Sequence, residues 1–358
     1  MGRSNPVRVL IVDDSVLMRE LLKEILSSDP DIEVVGAVCD PLAARQKIKE
    51  LNPAVLTLDI EMPRMDGITF LDKIMTLRPM PVVMVSSLTQ EGAEATLRAL
   101  EAGAVDFVAK PGINVQAGLD EKRAEIVAKV KAAASARVER RVTGTPGERK
   151  SALKLSANYS STEKIVAIGA STGGVEAVNQ ILQSMPADAP AILVTLHMPE
   201  KFTSSFARRL NSACAIHVAE ACDGERVLPG HAYIAPGSTH LRLGRSGANY
   251  VCVVRGKERI SGHCPSVDVL FHSTAEAAGK NAIGVILTGM GKDGADGLLA
   301  LRRSGASTLG QDEESCIVYG MPKAAFERGA VEAEIHLGKM AQEILSRCTT
   351  GGVRTIRI

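Results

Sequence analysis

Ile165-Val-Ala-Ile-Gly-Ala-Ser171-Thr-Gly-Gly-Val175 decides how the larger part of this chain is read. Val166 and Ile168 supply the β-branched apolar run of a buried strand, and Gly169, Gly173 and Gly174 relieve crowding where the chain turns sharply into a helix. Ser171 therefore stands at the carboxyl end of a strand and the amino end of a helix. Open α/β sheets place their ligands there, and the unpaired N–H groups of a helix start favour developing negative charge. A serine in that position is a nucleophile if a base reaches it. Without a base, the stretch is a phosphate-binding or merely tight turn.

Bases are found by working outward. A helix from Val175 to Met185 leads to the buried strand Ala191-Ile-Leu-Val-Thr195, which ends at Leu196-His197-Met-Pro199, and Pro199 opens a further helix. Ala215 to Ala219 reads as a short strand. The alternating segments in Asp223–Ala235 and Leu241–Val254, with their Gly turns, read as antiparallel strands and hairpins beside the main sheet. Ser266 or Asp268 begins a helix through Ala278. The strand Ala282–Leu287 then runs into a second glycine-rich turn, Thr288-Gly-Met-Gly-Lys-Asp-Gly294. A helix to about Arg303, a strand Ala306–Leu309 and a terminal helix Gly338–Cys348 complete the chain.

Ser171, His197 and Asp293 thus each follow a separate buried parallel strand and belong on one rim. That set suits nucleophilic acyl chemistry: His197 takes the Ser171 proton, Asp293 orients the imidazole, and backbone N–H groups stabilise the oxyanion. The chain order Ser, His, Asp differs from that of the α/β-hydrolases. Of the other histidines, His217 is packed or at a sheet edge, and His231, His240 and His336 fall in turns or near the surface. His263 and His272 flank Cys264–Asp268, with His263 lining the cleft. No residues have zinc spacing, so this domain is expected to use no metal or other cofactor.

The first part of the chain alternates strand and helix five times. Val7–Val12, Glu33–Val38, Ala54–Leu58, Pro81–Val85 and Ala104–Val108 are the strands. The helices follow Ser15 and then run over Pro41–Leu51, Ile68–Leu77, Ala93–Ala102 and Asp120–Ala134. Such (βα)5 repetition implies a doubly wound parallel sheet. Asp13 and Asp14 follow the first strand, Asp59 the third, Ser86 and Ser87 the fourth and Lys110 the fifth, so these groups converge on one sheet edge. A single such Asp would be a turn former or helix cap. Three crowded carboxylates make sense around a hard cation such as Mg2+, with Lys110 and a hydroxyl balancing a phosphoryl group.

At 358 residues and 45% hydrophobic content the chain has room for two cored domains, and with only 3% aromatics those cores are aliphatic. The formal net charge of +1 gives no argument for nucleic acid or a membrane surface. No apolar run reaches transmembrane length, and no signal-peptide pattern precedes Val7, so no membrane insertion is expected. The seven scattered cysteines form no Cys-x-x-Cys and suit a reducing cytoplasm. From about Lys131 the apolar pattern fades, and Thr143-Gly-Thr-Pro-Gly-Glu-Arg-Lys150 breaks the chain. The reading is therefore a first domain at residues 1–127, a linker at 128–160 and a second α/β domain, with a parallel sheet and antiparallel hairpins, at 161–358.

The first domain resembles the receiver domain of bacterial response regulators, on Asp13-Asp14, Leu58-Asp59-Ile-Glu-Met-Pro-Arg-Met-Asp-Gly67, Val85-Ser86-Ser87 and Ala109-Lys110-Pro111. The resemblance implies that Asp59 accepts a phosphoryl group from a sensor histidine kinase, and that Asp13, Asp14, Asp59 and the Glu61 carbonyl serve Mg2+. Ser86 and Lys110 would contact the phosphoryl group, Lys110–Pro111 would be a cis peptide, and Phe107 would be the aromatic that moves on phosphorylation. The second domain resembles the chemotaxis protein-glutamate methylesterases, the CheB family. The matching motifs are Gly169-Ala-Ser-Thr-Gly-Gly174, His197-Met-Pro, Ile234-Ala-Pro-Gly237, Pro265-Ser-Val-Asp268 and Thr288–Gly294. Leu196 stands where that family often has glutamine, beside the triad rather than in it.

This second resemblance implies Ser171 as nucleophile, His197 as base, Asp293 as orienting carboxylate, Thr172 as support and the Met290 N–H as oxyanion donor. The implied reactions are hydrolysis of glutamyl methyl esters on methyl-accepting chemoreceptors and deamidation of receptor glutamines in the cytoplasm. The unphosphorylated receiver would cover the Ser171 rim. A phosphorylation-gated binding protein and an esterase or amidase acting on another protein are the competing readings. The absence of a basic helix-turn-helix argues against DNA output.

Overall fold

The continuous apolar runs become strands buried on both faces, as parallel sheets covered by helices require. In the computed structural model, which describes residues 5–87, 89–110, 119–136, 138 and 164–349, the chain forms two compact units, Met1–Thr145 and Pro146–Ile358. The breaker stretch at 143–150, most of the expected linker and Pro111, with its expected cis bond, lie outside the described residues.

In the first unit the strands are β1 (Val7–Val12), β2 (Ile32–Val38), β3 (Val55–Asp59), β4 (Val82–Ser86) and β5 (Asp106–Ala109). They form one parallel sheet in the order β2-β1-β3-β4-β5. The helices are α1 (Val16–Ser27), α2 (Pro41–Leu51), α3 (Gly67–Leu77), α4 (Gln90–Glu101) and α5 (Leu119–Ala134), and the first four start where the sequence supplies acceptors for their first N–H groups. Ser15 caps α1, Asp40 caps α2, Asp66 caps α3 and Thr89 caps α4. Helix α5 continues beyond residue 127, where the sequence reading ended the first domain.

The second unit holds a seven-stranded sheet in the order β14-β13-β12-β6-β7-β9-β8. Its strands are β6 (Ile165–Ala170), β7 (Ala191–Leu196), β8 (His217–Glu220), β9 (His231–Ile234), β12 (Ala282–Ile286), β13 (Ser307–Gln311) and β14 (Ala333–Ile335), and every pairing is parallel. Connections from β6 run one way through β7 and the other way begins at β12, so the topological switch lies between β6 and β12. The helices are α6 (Gly174–Gln183), α7 (Glu200–Ala213), α8 (Val267–Ala278), α9 (Ala295–Arg303), α10 (Met321–Glu327) and α11 (Leu337–Thr349).

Two expectations are corrected. The segment around Tyr233 is not part of a hairpin: β9 enters the main sheet between β7 and β8, parallel to both. Among the described residues the antiparallel strand pair is β10 (Leu241–Ser246) with β11 (Asn249–Val254). The short elements α10 and β14 were not expected at all. Seven and three residues carry too little periodicity to stand out.

The entry to α3 shows how tightly a site strand can be braced. Asp66 accepts from Thr69 N at 2.7 Å, Gly67 N donates to the Ile60 carbonyl at 2.9 Å, and a Cβ at Gly67 would collide with the Asp59 carbonyl oxygen. Gly67→Ala therefore forces β3 and α3 apart. It is expected to destabilise the first unit by about 2–3 kcal/mol, read as a lowered first-unit unfolding transition in thermal melts of the full chain. An unchanged melt would contradict this packing.

Candidate active site

The rim at the carboxyl ends of β6, β7 and β12 carries Ser171, His197 and Asp293, the residues expected to act together. Ala170 pairs with Leu196 in register, so Ser171 and His197 follow at neighbouring positions of adjacent strands. His197 N reaches the Ala170 carbonyl at 3.3 Å, and Ser171 N donates to the Thr288 carbonyl at 3.0 Å, fastening the serine turn to the loop after β12. Gly289 in that loop is obligatory, because a Cβ there would lie 2.8 Å from Ser171 Cβ. Gly169 and Gly173 flank Ser171 at the Gly-x-Ser-x-Gly spacing of a nucleophile elbow, although the triad order along the chain differs.

Asp293 is fully buried and takes four hydrogen bonds. Its Oδ2 accepts from His197 Nε2 at 2.8 Å and from Val267 N at 2.7 Å, and its Oδ1 accepts from the Ser266 hydroxyl at 2.8 Å and Asp268 N at 3.1 Å. Burial pushes the carboxyl up. The His197 hydrogen bond and charge, with the two backbone donors, outweigh burial and bring it down to about 2. The neighbouring Asp268 moves the other way: burial raises it, and the nearby Asp293 charge adds to the rise.

With Nε2 committed to Asp293, His197 Nδ1 is the nitrogen left to accept a proton, and it is buried without a partner. No hydrogen bond joins it to Ser171 among the described residues. Such contacts are often long before substrate binds. The His263 ring stacks on His197 at 3.7 Å and an interplanar angle of 6°, so His263 does line the cleft and fixes the imidazole plane. The Met290 N–H makes no hydrogen bond among the described residues. Thr172 is buried, and its carbonyl accepts from the Thr288 hydroxyl at 3.0 Å.

One functional neighbour was misjudged. His240, expected near the surface, is fully buried, and its Nδ1 accepts from Ser266 N at 3.1 Å. Asp268 and Ser266, read as a helix start and as part of a family motif but given no role, are also partners in the site. The Ser266 hydroxyl gives up capping α8 in order to bind Asp293.

In the first unit Asp13, Asp14 and Asp59 offer carboxylate oxygens that all lie within 4.8 Å of one another. Asp13 is raised to about 6 by burial and then by Asp59, while one of its oxygens is buried without a partner. Asp59 is likewise raised by burial, and its Oδ2 pairs with Lys110 Nζ at 2.8 Å. An orphaned carboxylate oxygen among crowded acids is what a hard cation would relieve, so these residues fit Mg2+. Glu61 N donates to Asp59 Oδ1 at 3.2 Å. The Ser86 hydroxyl is turned toward α4, where it receives the Thr96 hydroxyl at 2.7 Å. Phe107 is buried, with Lys129 Nζ 4.9 Å above its ring.

Residues 166–344 match the family model described as CheB methylesterase, and residues 9–117 match that of the response regulator receiver domain. The protein-glutamate methylesterase/protein-glutamine glutaminase of Bordetella bronchiseptica is 58% identical over 349 residues, 97% of this chain and 99% of that protein. A protein-glutamate methylesterase/protein-glutamine glutaminase 1 of Geobacter metallireducens is 55% identical over 368 residues, covering 99% of each. The crystal structure of the Thermotoga maritima CheB methylesterase catalytic domain aligns with a TM-score of 0.51 at 38% identity. It covers 52% of this chain and 98% of that one.

The Asp293 carboxyl generates a pH prediction. Its folded value, about 2, lies below the ordinary 3.8, so its ionised form stabilises the fold above that ordinary value, and the contribution is lost as pH falls through the folded value. It amounts to about 2 kcal/mol. The stability gap between wild type and Asp293→Asn, measured by urea unfolding, should narrow as pH drops from about 5 toward about 2. A gap that stays constant would contradict the assignment.

Proposed function

The chain belongs to the CheB methylesterase family, is a protein-glutamate methylesterase and protein-glutamine glutaminase of chemotaxis with a receiver domain, and we propose that Ser171, His197 and Asp293 carry its chemistry. The observation that supports this reading most is the His197 imidazole: Nε2 is fixed on a buried carboxylate, and Nδ1 is unpartnered beside the serine strand.

In this mechanism Ser171 Oγ attacks the ester carbonyl of a glutamyl methyl ester while His197 Nδ1 takes the hydroxyl proton. The Met290 N–H, with the amino end of α6, receives the charge forming on the carbonyl oxygen. His197 then gives its proton to the departing methoxide, and methanol leaves an acyl-enzyme at Ser171. Water, deprotonated by His197, attacks that acyl group. His197 returns that proton to Ser171 Oγ as the acyl–oxygen bond breaks, and the products are the free serine and a glutamic acid that ionises to the carboxylate. A glutamine amide follows the same path with ammonia as the leaving group. Asp293 holds the imidazole in the required tautomer and stabilises the imidazolium between steps. Thr172 supports the His197 side of the rim.

The receiver domain implies a phosphodonor kinase, and we infer a sensor histidine kinase of the chemotaxis system acting on Asp59. Asp13, Asp14, Asp59 and the Glu61 carbonyl would hold Mg2+, whose charge offsets that of the carboxylates and phosphoryl oxygens. Lys110, already on Asp59, and Ser86, once it turns from α4, contact the phosphoryl group. The substrates are chemoreceptor helices in the cytoplasm, a compartment in keeping with seven free cysteines. The unphosphorylated receiver restrains the esterase by covering the Ser171 rim, and phosphorylation lifts that restraint.

Methanol release from methylated receptor membranes tests both parts. Ser171→Ala should lose at least about a thousandfold in kcat, with or without a small-molecule phosphodonor. Asp59→Asn should keep basal release but lose the stimulation. Residual activity near wild type in Ser171→Ala would remove the nucleophile assignment. Stimulation that survives in Asp59→Asn would remove the phosphoacceptor.

A further inference from the structure

The amino end of α8 supplies three of the four hydrogen bonds that orient Asp293: the Ser266 hydroxyl, Val267 N and Asp268 N. A helix start that spends its cap residue on a neighbouring carboxylate has surrendered its own side-chain cap, and α8 indeed has none. Something else must fix where that helix begins.

His240 does so. It is fully buried just ahead of β10, and both ring nitrogens are engaged. Nδ1 accepts from Ser266 N at 3.1 Å and Nε2 donates to the Glu258 carbonyl at 2.7 Å. A neutral imidazole has one acceptor and one donor, and this pairing uses each once, which assigns the proton to Nε2. The main chain of the same residue is tied as well: His240 N donates to the Gly256 carbonyl at 3.2 Å, and Arg255 N donates to the His240 carbonyl at 3.1 Å. The imidazole is therefore held by the stretch 255–258 that follows β11, and it transmits that position to Ser266.

We propose that His240 is a positioning residue for the esterase reaction: through the Ser266 N–H it sets the amino end of α8, and with it the donors that aim Asp293 at His197. The inference rests on Asp293 being the carboxylate of the triad. His240 touches neither substrate nor the reacting atoms. Its effect belongs in kcat, because a misaimed Asp293 leaves the binding surface intact and misplaces the base.

The two ring nitrogens can be tested separately in the full-length protein. An Asn amide oxygen reaches the place of Nδ1, and a Gln amide nitrogen reaches the place of Nε2. His240→Asn keeps the acceptor for Ser266 and loses the bond to Glu258, whereas His240→Gln does the reverse. In methanol release from methylated receptor membranes with phosphodonor, His240→Gln and His240→Ala should lower kcat by about ten- to a hundredfold with KM nearly unchanged, and His240→Asn should restore most of the rate. Thermal melts of the Asn and Gln variants should fall by similar amounts, since each loses one buried hydrogen bond.

If the Asn and Gln variants lose activity equally, in proportion to their melting temperatures, His240 is a structural strut only and the proposal is overturned. Asp293→Asn measured alongside separates the two assignments. A slow Asp293→Asn beside a wild-type rate in His240→Ala overturns the His240 role alone. A wild-type rate in Asp293→Asn overturns both.

Discussion

A carboxylate taken out of water must be given back the hydrogen bonds it loses. Asp293 is wholly inaccessible to solvent and receives four, from His197 and from the start of α8. Much of the local architecture serves that requirement. The β12 loop must pass close to the serine turn, which only glycine at 289 permits. Ser266 relinquishes its helix to serve the carboxylate. The result is an imidazole whose Nε2 is fixed on a buried carboxylate, and such preorganisation is what makes the electrostatics of an active site effective.

The carboxylates of the first unit show the opposite design. Asp13 and Asp59 are as buried as Asp293, but they face one another and a third acid, and among the described residues only Ser15 N donates to Asp13, and Glu61 N and Lys110 to Asp59. Both are raised by burial, in Asp13 reinforced by the neighbouring Asp59, where Asp293 is lowered. Donors quiet one site, and crowding leaves the other unsettled. Under the proposed roles the settled carboxylate stands where a proton is steered and the unsettled cluster where charge is exchanged.

Much of this was legible in the sequence. The five strands and five helices of the first unit, and the strand ends carrying Asp13, Asp59, Ser86 and Lys110, followed from apolar runs and caps because those signals are local. Ser171, His197 and Asp293 stood out as candidates because each follows a buried parallel strand, and the sheet itself brings such residues to one rim. The misreadings of β9 and His240 share one cause, which is distance along the chain. Strand β9 looked like half of a hairpin because its four residues sit between turn signals, and its true partners are β7 and β8. His240 follows Gly237-Ser-Thr239, which reads as a surface turn, while the groups that bury it are Glu258 and Ser266. No pattern in the sequence could tell which nitrogen of His197 faces Asp293.

That choice of nitrogen is also where the account is most exposed. Nitrogen NMR of 15N-histidine-labelled protein resolves the two ring positions of His197, first in the resting enzyme and then after a phosphonate ester has capped Ser171 as a tetrahedral adduct. The account predicts a proton on Nε2 and a bare Nδ1 at rest, with Nδ1 becoming protonated and hydrogen-bonded in the Ser171 adduct. A resting proton on Nδ1, or an adduct that leaves Nδ1 unprotonated, would contradict it.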